Sequence, residues 1–128
     1  MLYEDITSEI IKIFYKVNNT LGYGFLEKVY ENAIILELKK AGIKIKQQEN
    51  IKVFYEGEEV GNYYADIIVE DKIILELKCC ENLRDEHRNQ LINYLKATNM
   101  EVGLLLNFGK NSEFKRVIFS KKDIREEE

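Results

Sequence analysis

Apolar side chains at Tyr3, Ile6, Ile10, Ile13, Phe14 and Val17 recur every three or four positions. That is the period of one helix face, and it predicts an amphipathic helix over residues 3–18. "NNTLGYG" should break it. A second helix is expected over 25–40, with Leu26, Val29, Tyr30, Ala33, Ile34 and Leu38 turned inward and Gly42 as its stop. The period then shortens to two. Residues 43–56 read as extended, interrupted around Glu49 and Asn50, and "YEGEEVG" reads as a turn. Strands follow over 62–69 and 73–79, then a third helix over 83–97. Residues 101–108 form a nearly continuous apolar run, a strand that calls for cover on both faces, and a last strand is expected near 114–119. The order α-α-β-β-β-α-β-β points to a mixed sheet with helices packed on it, in a single domain spanning 1–128.

One hairpin has an unusual polar pattern. In "ADIIVEDKIILELK" (65–78), alternation puts Ile73, Leu75, Leu77 and Cys79 on a core face, and Ile74, Glu76 and Lys78 on the other. Ala65, Ile67 and Val69 share one face of the preceding strand, Asp66 and Ile68 the opposite one. Keeping the apolar faces together requires a three-residue loop, "EDK", which pairs 69 with 73, 68 with 74 and 66 with 76. A two-residue turn would drive Asp66 against Leu77. Asp66 and Glu76 therefore face each other with side-chain roots ~5 Å apart, an arrangement in which like charges repel. Lys78 relieves part of the repulsion, and a hard divalent cation would relieve more, since Mg²⁺ is held by one or two carboxylates plus water. An ordinary solvated ion pair is the plainer account of the same residues.

Composition narrows the setting. At 128 residues, 45% hydrophobic and 33% charged, the chain can bury a core of its own. No apolar run approaches the ~20 residues of a membrane span, and the acidic, amphipathic "MLYEDITSEI" is not a secretory signal. The two cysteines, Cys79 and Cys80, are adjacent and give neither a disulfide framework nor zinc-ligand spacing, so a cytoplasmic location is expected. One is expected to face the core and the other the site. The net charge of −4 is unevenly spread. Residues 49–76 carry eight acids against Lys52 and Lys72, whereas Lys110, Lys115, Arg116, Lys121 and Lys122 oppose only Glu113 over 110–122. An acidic zone suited to cations thus coexists with a basic segment suited to phosphates.

Four motifs then fall into one order: "GFLEKVY", "ADIIVEDKIILELK", "QLINY" and "GLLLNFG". Together they resemble the PD-(D/E)XK nuclease superfamily, and within it the small group named for a GxxExxY signature, here Gly24, Glu27 and Tyr30. Asp66, Glu76 and Lys78 match the catalytic hairpin, and Gln90 and Tyr94 match a Gln-x-x-x-Tyr helix. Ala65 stands where the superfamily's name has proline. The resemblance implies an α/β restriction-endonuclease-like core, a central mixed sheet flanked by helices. It also implies Mg²⁺- or Mn²⁺-dependent hydrolysis of phosphodiester bonds; it does not carry a substrate, and DNA is the nucleic acid expected.

On that resemblance Asp66, Glu76 and the Leu77 backbone carbonyl hold the metal, and Glu27 approaches it directly or through water. Lys78 orients the attacking water or stabilises charge on the phosphate in the transition state. Gln90 bonds Lys78, that water or a phosphate oxygen, and Tyr94 contacts the backbone or stacks on a base. The basic segment meets the nucleic acid, and a homodimer would let so small a domain address two strands. His87, the only histidine, stays outside the site. Two rival readings remain: a nucleic-acid-binding module of the same fold without catalysis, and a protein-interaction domain presenting its acidic zone.

Overall fold

The computed structural model describes residues 3–120. Its elements are α1 (Glu4–Leu21), α2 (Glu27–Lys40), β1 (Ile45–Tyr55), β2 (Glu58–Val69), β3 (Ile73–Lys78), α3 (Asp85–Lys96), β4 (Val102–Asn107) and β5 (Glu113–Ile118). The strands lie in the sheet in chain order. Neighbours are antiparallel except β3 and β4, which are parallel and joined by α3 as the crossover. This is the mixed, helix-flanked α/β sheet the order of elements predicts.

Two apolar clusters cover the sheet. Ile10, Phe14, Tyr30, Ile34 and Leu38 of α1 and α2 pack on Ile67, Val69, Ile73, Leu75, Leu77, Leu104 and Leu106. Leu91, Tyr94 and Leu95 of α3 pack on Ile68, Ile74, Leu105 and Val117. The face of β3 that carries Glu76 is therefore covered by a helix, not solvated, and β4 is buried throughout as its composition requires.

Several boundaries move for local reasons. α1 continues through Asn18–Thr20 to Leu21, because Gly22, at φ 71°, is the residue that leaves the helix; its N–H caps Asn18 O. The inward face of α2 is Tyr30, Glu31, Ile34, Ile35 and Leu38, whereas Leu26 precedes the helix and is 80% exposed. Gly42, at φ 76°, stops α2 as expected, with Ile43 N–H returning to Leu38 O. Only Glu56 and Gly57, both at positive φ, turn between β1 and β2, so Tyr55 of "YEGEEVG" ends β1 and the residues after Gly57 join β2. β1 is not interrupted at Glu49; the irregularity is one residue earlier, Gln48 at φ 50°.

The loop between β2 and β3 is Glu70–Asp71–Lys72, and the ladder pairs Val69 with Ile73, Ile68 with Ile74 and Ile67 with Leu75. That is the register the apolar pattern demands. Alternation fails at one place, however. Ile67 packs under α1 and α2, yet Ala65 packs under α3. The faces exchange at Asp66, opposite the left-handed Gln48 on β1. Ala65 and Ile67 thus do not share a face, because β2 exchanges its faces at Asp66, where β1 carries the left-handed Gln48.

Candidate active site

At the end of the short β2–β3 ladder, carboxylates replace backbone partners. Asp66 N–H donates to Glu76 Oε2 (2.9 Å), and Leu77 N–H donates to Asp66 Oδ2 (2.8 Å). Each acid is thus anchored by the main chain of the other strand, which holds the two opposed. Glu76 is only 4% exposed. Burial, then the Asp66 charge, pushes its pKa up to about 8. Burial also raises Asp66 above the usual carboxylate range, against the Leu77 N–H, which lowers it. Glu27, the first residue of α2, is raised by burial and then by Asp66. Lys78 opposes the rise at all three acids. The fold therefore brings Glu27, Asp66, Glu76 and Lys78 into one electrostatic neighbourhood.

Among the described residues, no three His, Cys, Asp or Glu side chains converge as a ready-made metal cage. The donors on offer are two carboxylates and adjacent backbone, hard oxygen ligands that fit Mg²⁺ or Mn²⁺ and leave positions for water or phosphate.

Two contributors escaped the sequence reading. Glu31 is 4% exposed, and its Oε2 accepts from Gln47 Nε2 (2.9 Å) and Gln48 Nε2 (3.0 Å), with Lys28 at 3.5 Å. Gln48 Nε2 also lies 3.5 Å from Asp66 Oδ1, so a polar chain links α2 to Asp66. The signal was present for Glu31, which follows Glu27 by one helical turn. Nothing local marked Gln48.

On α3, Leu91 and Leu95 are fully buried and carry the helix onto the sheet. Tyr94 is buried beside them, tilted against Tyr63 at 5.7 Å. Burial, then Glu76 and Asp66, pushes its phenol up to about 12. Gln90 lies exposed one turn earlier, lining a groove with Tyr63 and Tyr94. His87 Nδ1 accepts the Arg84 N–H (3.0 Å) and closes the start of α3, a structural task outside the site.

Uncharged residues of the first and last motifs have structural tasks. Tyr30 Oη donates to Gly22 O (2.6 Å) and accepts from Phe25 N–H (3.3 Å), while its ring stacks on Phe108 at 4.5 Å. It thereby fixes the loop that delivers Glu27. Asn107, fully buried, accepts the Cys80 N–H (3.0 Å) and donates to Cys80 O (2.9 Å), while Phe108 N–H donates to Lys78 O (2.9 Å). This clamp ties the chain on both sides of Cys79 to β4. A Cβ at Gly109 would lie 2.3 Å from Cys80 O, and one at Gly103 would lie 2.8 Å from Leu91. Both positions need glycine for room.

The basic segment is divided by the pleat. Lys115 pairs with Leu105, whose side chain packs under α3, and Arg116 with Leu104, which packs under α1 and α2. Lys110 lies in the loop beside Cys79, Cys80 and Phe25, and Lys121 and Lys122 lie outside the described residues. Neither cysteine reaches the core: Cys79 is exposed because β3 ends at Lys78, and Cys80 is half-buried under the Asn107 clamp. Burial and then Glu27 push the Cys79 thiol up to about 11, away from nucleophilic character.

The chain belongs to the PD-(D/E)XK nuclease superfamily, whose family model matches residues 4–117. Its fold is similar to that of the protein solved as SSO0001 (18% identity, TM-score 0.58), covering 98% of this chain and 64% of that one. It is also similar to an alkaline exonuclease (LHK-Exo) from Laribacter hongkongensis (11% identity, TM-score 0.56), covering 99% of this chain and 76% of that one. This chain is thus shorter than either structural relative, spanning less than two thirds of the first. No curated protein matches its sequence. No helix among the described residues is long and apolar enough to cross a membrane.

Proposed function

We propose that this chain is a divalent-metal-dependent nuclease that hydrolyses phosphodiester bonds in DNA, and that its "GFLEKVY" stretch places it in the GxxExxY group of the superfamily. The observation that carries this reading is the crossed pair of hydrogen bonds at Asp66 and Glu76. Folding spends a backbone ladder position to hold two carboxylates together and bury one of them. Without a cation that arrangement is unfavourable, which is why Glu76 retains its proton to about 8.

In this reading Asp66, Glu76 and the Leu77 carbonyl hold Mg²⁺ or Mn²⁺, with Glu27 completing the set directly or through water. The bound ion supplies Lewis acidity toward the phosphate and a more acidic water. Lys78 stabilises negative charge developing on the phosphate oxygens. Gln90 and Tyr94 position the phosphate or the base beside it, and Lys110, Lys115 and Arg116, with Lys121 and Lys122, meet the backbone. The chain is taken as a single domain acting in the cytoplasm, with a homodimer as the assembly that would present two sites to two strands.

Calorimetric titration with Mn²⁺ tests the core of this reading without reference to a substrate. The wild type should bind one ion per chain, and Asp66→Ala and Glu76→Ala should abolish the heat. Equal binding by all three proteins would remove the hairpin from consideration as a metal site.

A further inference from the structure

The β1–β2 hairpin is the longest feature of the sheet, and its distal half leaves large rings uncovered: Phe54 is 60% exposed and Tyr63 is 47% exposed. Between this arm and α3 lies an open groove of about 720 Å³. Lys52, Phe54 and Tyr63 line it from the arm, and Gln90, Asn93 and Lys96 from the helix. Tyr94 also lines it, and it packs in one cluster with Ala65 and Ile74, the neighbours of Asp66 and Glu76 on β2 and β3. The groove therefore leads to the acidic hairpin.

Its charge differs from that of the acidic stretch 49–76 that supplies most of the arm. In a chain of net charge −4, the charged residues of this lining are Lys52 and Lys96 against Glu86 alone. Among the described residues Lys52 pairs with Glu59, and this contact is long (3.8 Å) and solvated on both sides, so it yields readily to a stronger anion. Aromatic faces, side-chain amides and cations in one open track match the three parts of a nucleotide strand: base faces, base edges and phosphates. In a duplex the base faces are already stacked on one another, and rings such as Phe54 and Tyr63 have nothing to receive. An unpaired strand presents them. A volume of this size suits a nucleotide or two rather than a double helix.

We propose that this groove binds an unpaired nucleic-acid strand, with bases on Phe54 and Tyr63 and phosphates on Lys52 and Lys96, and feeds it toward Glu76. The proposal deepens the nuclease reading: it rests on that reading for where the strand leads, but the binding itself does not require hydrolysis. Phosphate contacts alone would not separate DNA from RNA, so both belong in the test.

The test is fluorescence anisotropy in EDTA, with no divalent metal, using labelled oligo-dT and oligo-rU of about twelve nucleotides and a blunt DNA duplex of the same length. Single strands should bind more tightly than the duplex. Phe54→Ala and Tyr63→Ala should each weaken single-strand binding on the order of tenfold. Lys52→Ala and Lys96→Ala should reduce its salt dependence. The two aromatic positions are exposed, and unchanged circular dichroism would show the variants folded. Tighter binding of the duplex, no single-strand binding by the wild type, or aromatic variants that bind as the wild type does would each overturn the groove. Because no metal is present, failure of the nuclease reading leaves this result intact. Conversely, an active enzyme whose Phe54 and Tyr63 variants bind normally would keep the nuclease and lose the groove.

Discussion

Gly103→Ala isolates how α3 is seated. Gly103 lies in the buried strand β4, directly beneath Leu91 of α3. A methyl group there would meet Cγ, Cδ1 and Cδ2 of Leu91, all at 2.8 Å, well inside ordinary contact. Leu91 is fully buried, and its close-packed surroundings leave no space for its side chain to turn aside, so the helix must lift or the strand must bend. Overpacking of this kind costs about 1–3 kcal/mol. The lost backbone freedom of glycine in the unfolded chain offsets about 0.4–1 kcal/mol of that. A net loss of about 1–2 kcal/mol remains, on the order of 3–10 °C in Tm for a chain of this size. Leu91→Ala alone should cost about 2–5 kcal/mol through the cavity it leaves. In that background the Gly103→Ala methyl enters the cavity, so its effect should vanish or become stabilising. Urea unfolding of the two single variants and the double variant measures this coupling. If Gly103→Ala costs the same with and without Leu91, the steric account of this glycine is wrong. A lifted α3 would also carry Tyr94 away from Glu76, so the single variant should lose activity beyond what its stability explains.

Asn107→Ala leaves the Cys80 N–H and C=O without their partners and should cost about 1–3 kcal/mol; chemical denaturation checks it, and an unchanged midpoint would mean water replaces the clamp freely. The metal-free protein should lose stability as pH rises from the carboxylate range toward about 8. Over that window the folded state holds a proton on Glu76 that the unfolded chain has released. The loss should be on the order of a few kcal/mol, Glu76→Gln should flatten it, and saturating Mn²⁺ should reverse it at the high-pH end. A thermal-melt series from pH 5 to pH 9 would contradict this if wild type and Glu76→Gln ran in parallel. Cys79, though exposed, should react with iodoacetamide at pH 8 more slowly than a free thiol, since burial and Glu27 hold it protonated; mass spectrometry after timed quenching reads the rate.

How much of this was legible in the sequence depended on the range of the interaction. The register of the β2–β3 hairpin followed from alternation alone, because a one-residue slip would have put Asp66 against Leu77. The burial of β4 on both faces followed from its unbroken apolar run. Cover over Glu76 did not follow, since the face of β3 that looks half polar is closed by α3, and only the three-dimensional path of the crossover places that helix there. The kink at Asp66 was hidden for a similar reason. It takes Gln48 at φ 50° on a different strand to exchange the faces, and glutamine carries no sign of left-handed backbone. Glu31 was the nearest miss, spaced one turn from Glu27 and turned inward because Gln47 and Gln48 meet it. Glu27 itself was placed by "GFLEKVY", but the reason for Tyr30 became visible only in its bonds to Gly22 and Phe25.

Asp66, Glu76 and Lys78 are proposed to form a metal-dependent hydrolytic site. Its most direct test is end-labelled DNA and RNA, single-stranded and duplex, incubated with Mn²⁺, with Mg²⁺ or with EDTA, comparing wild type with Lys78→Ala. The wild type should cleave only when metal is present, and the variant should lose on the order of a hundredfold or more of that activity. Cleavage that survives EDTA or the Lys78→Ala substitution would contradict this proposal, as would a wild type that cuts none of the four substrates with either metal.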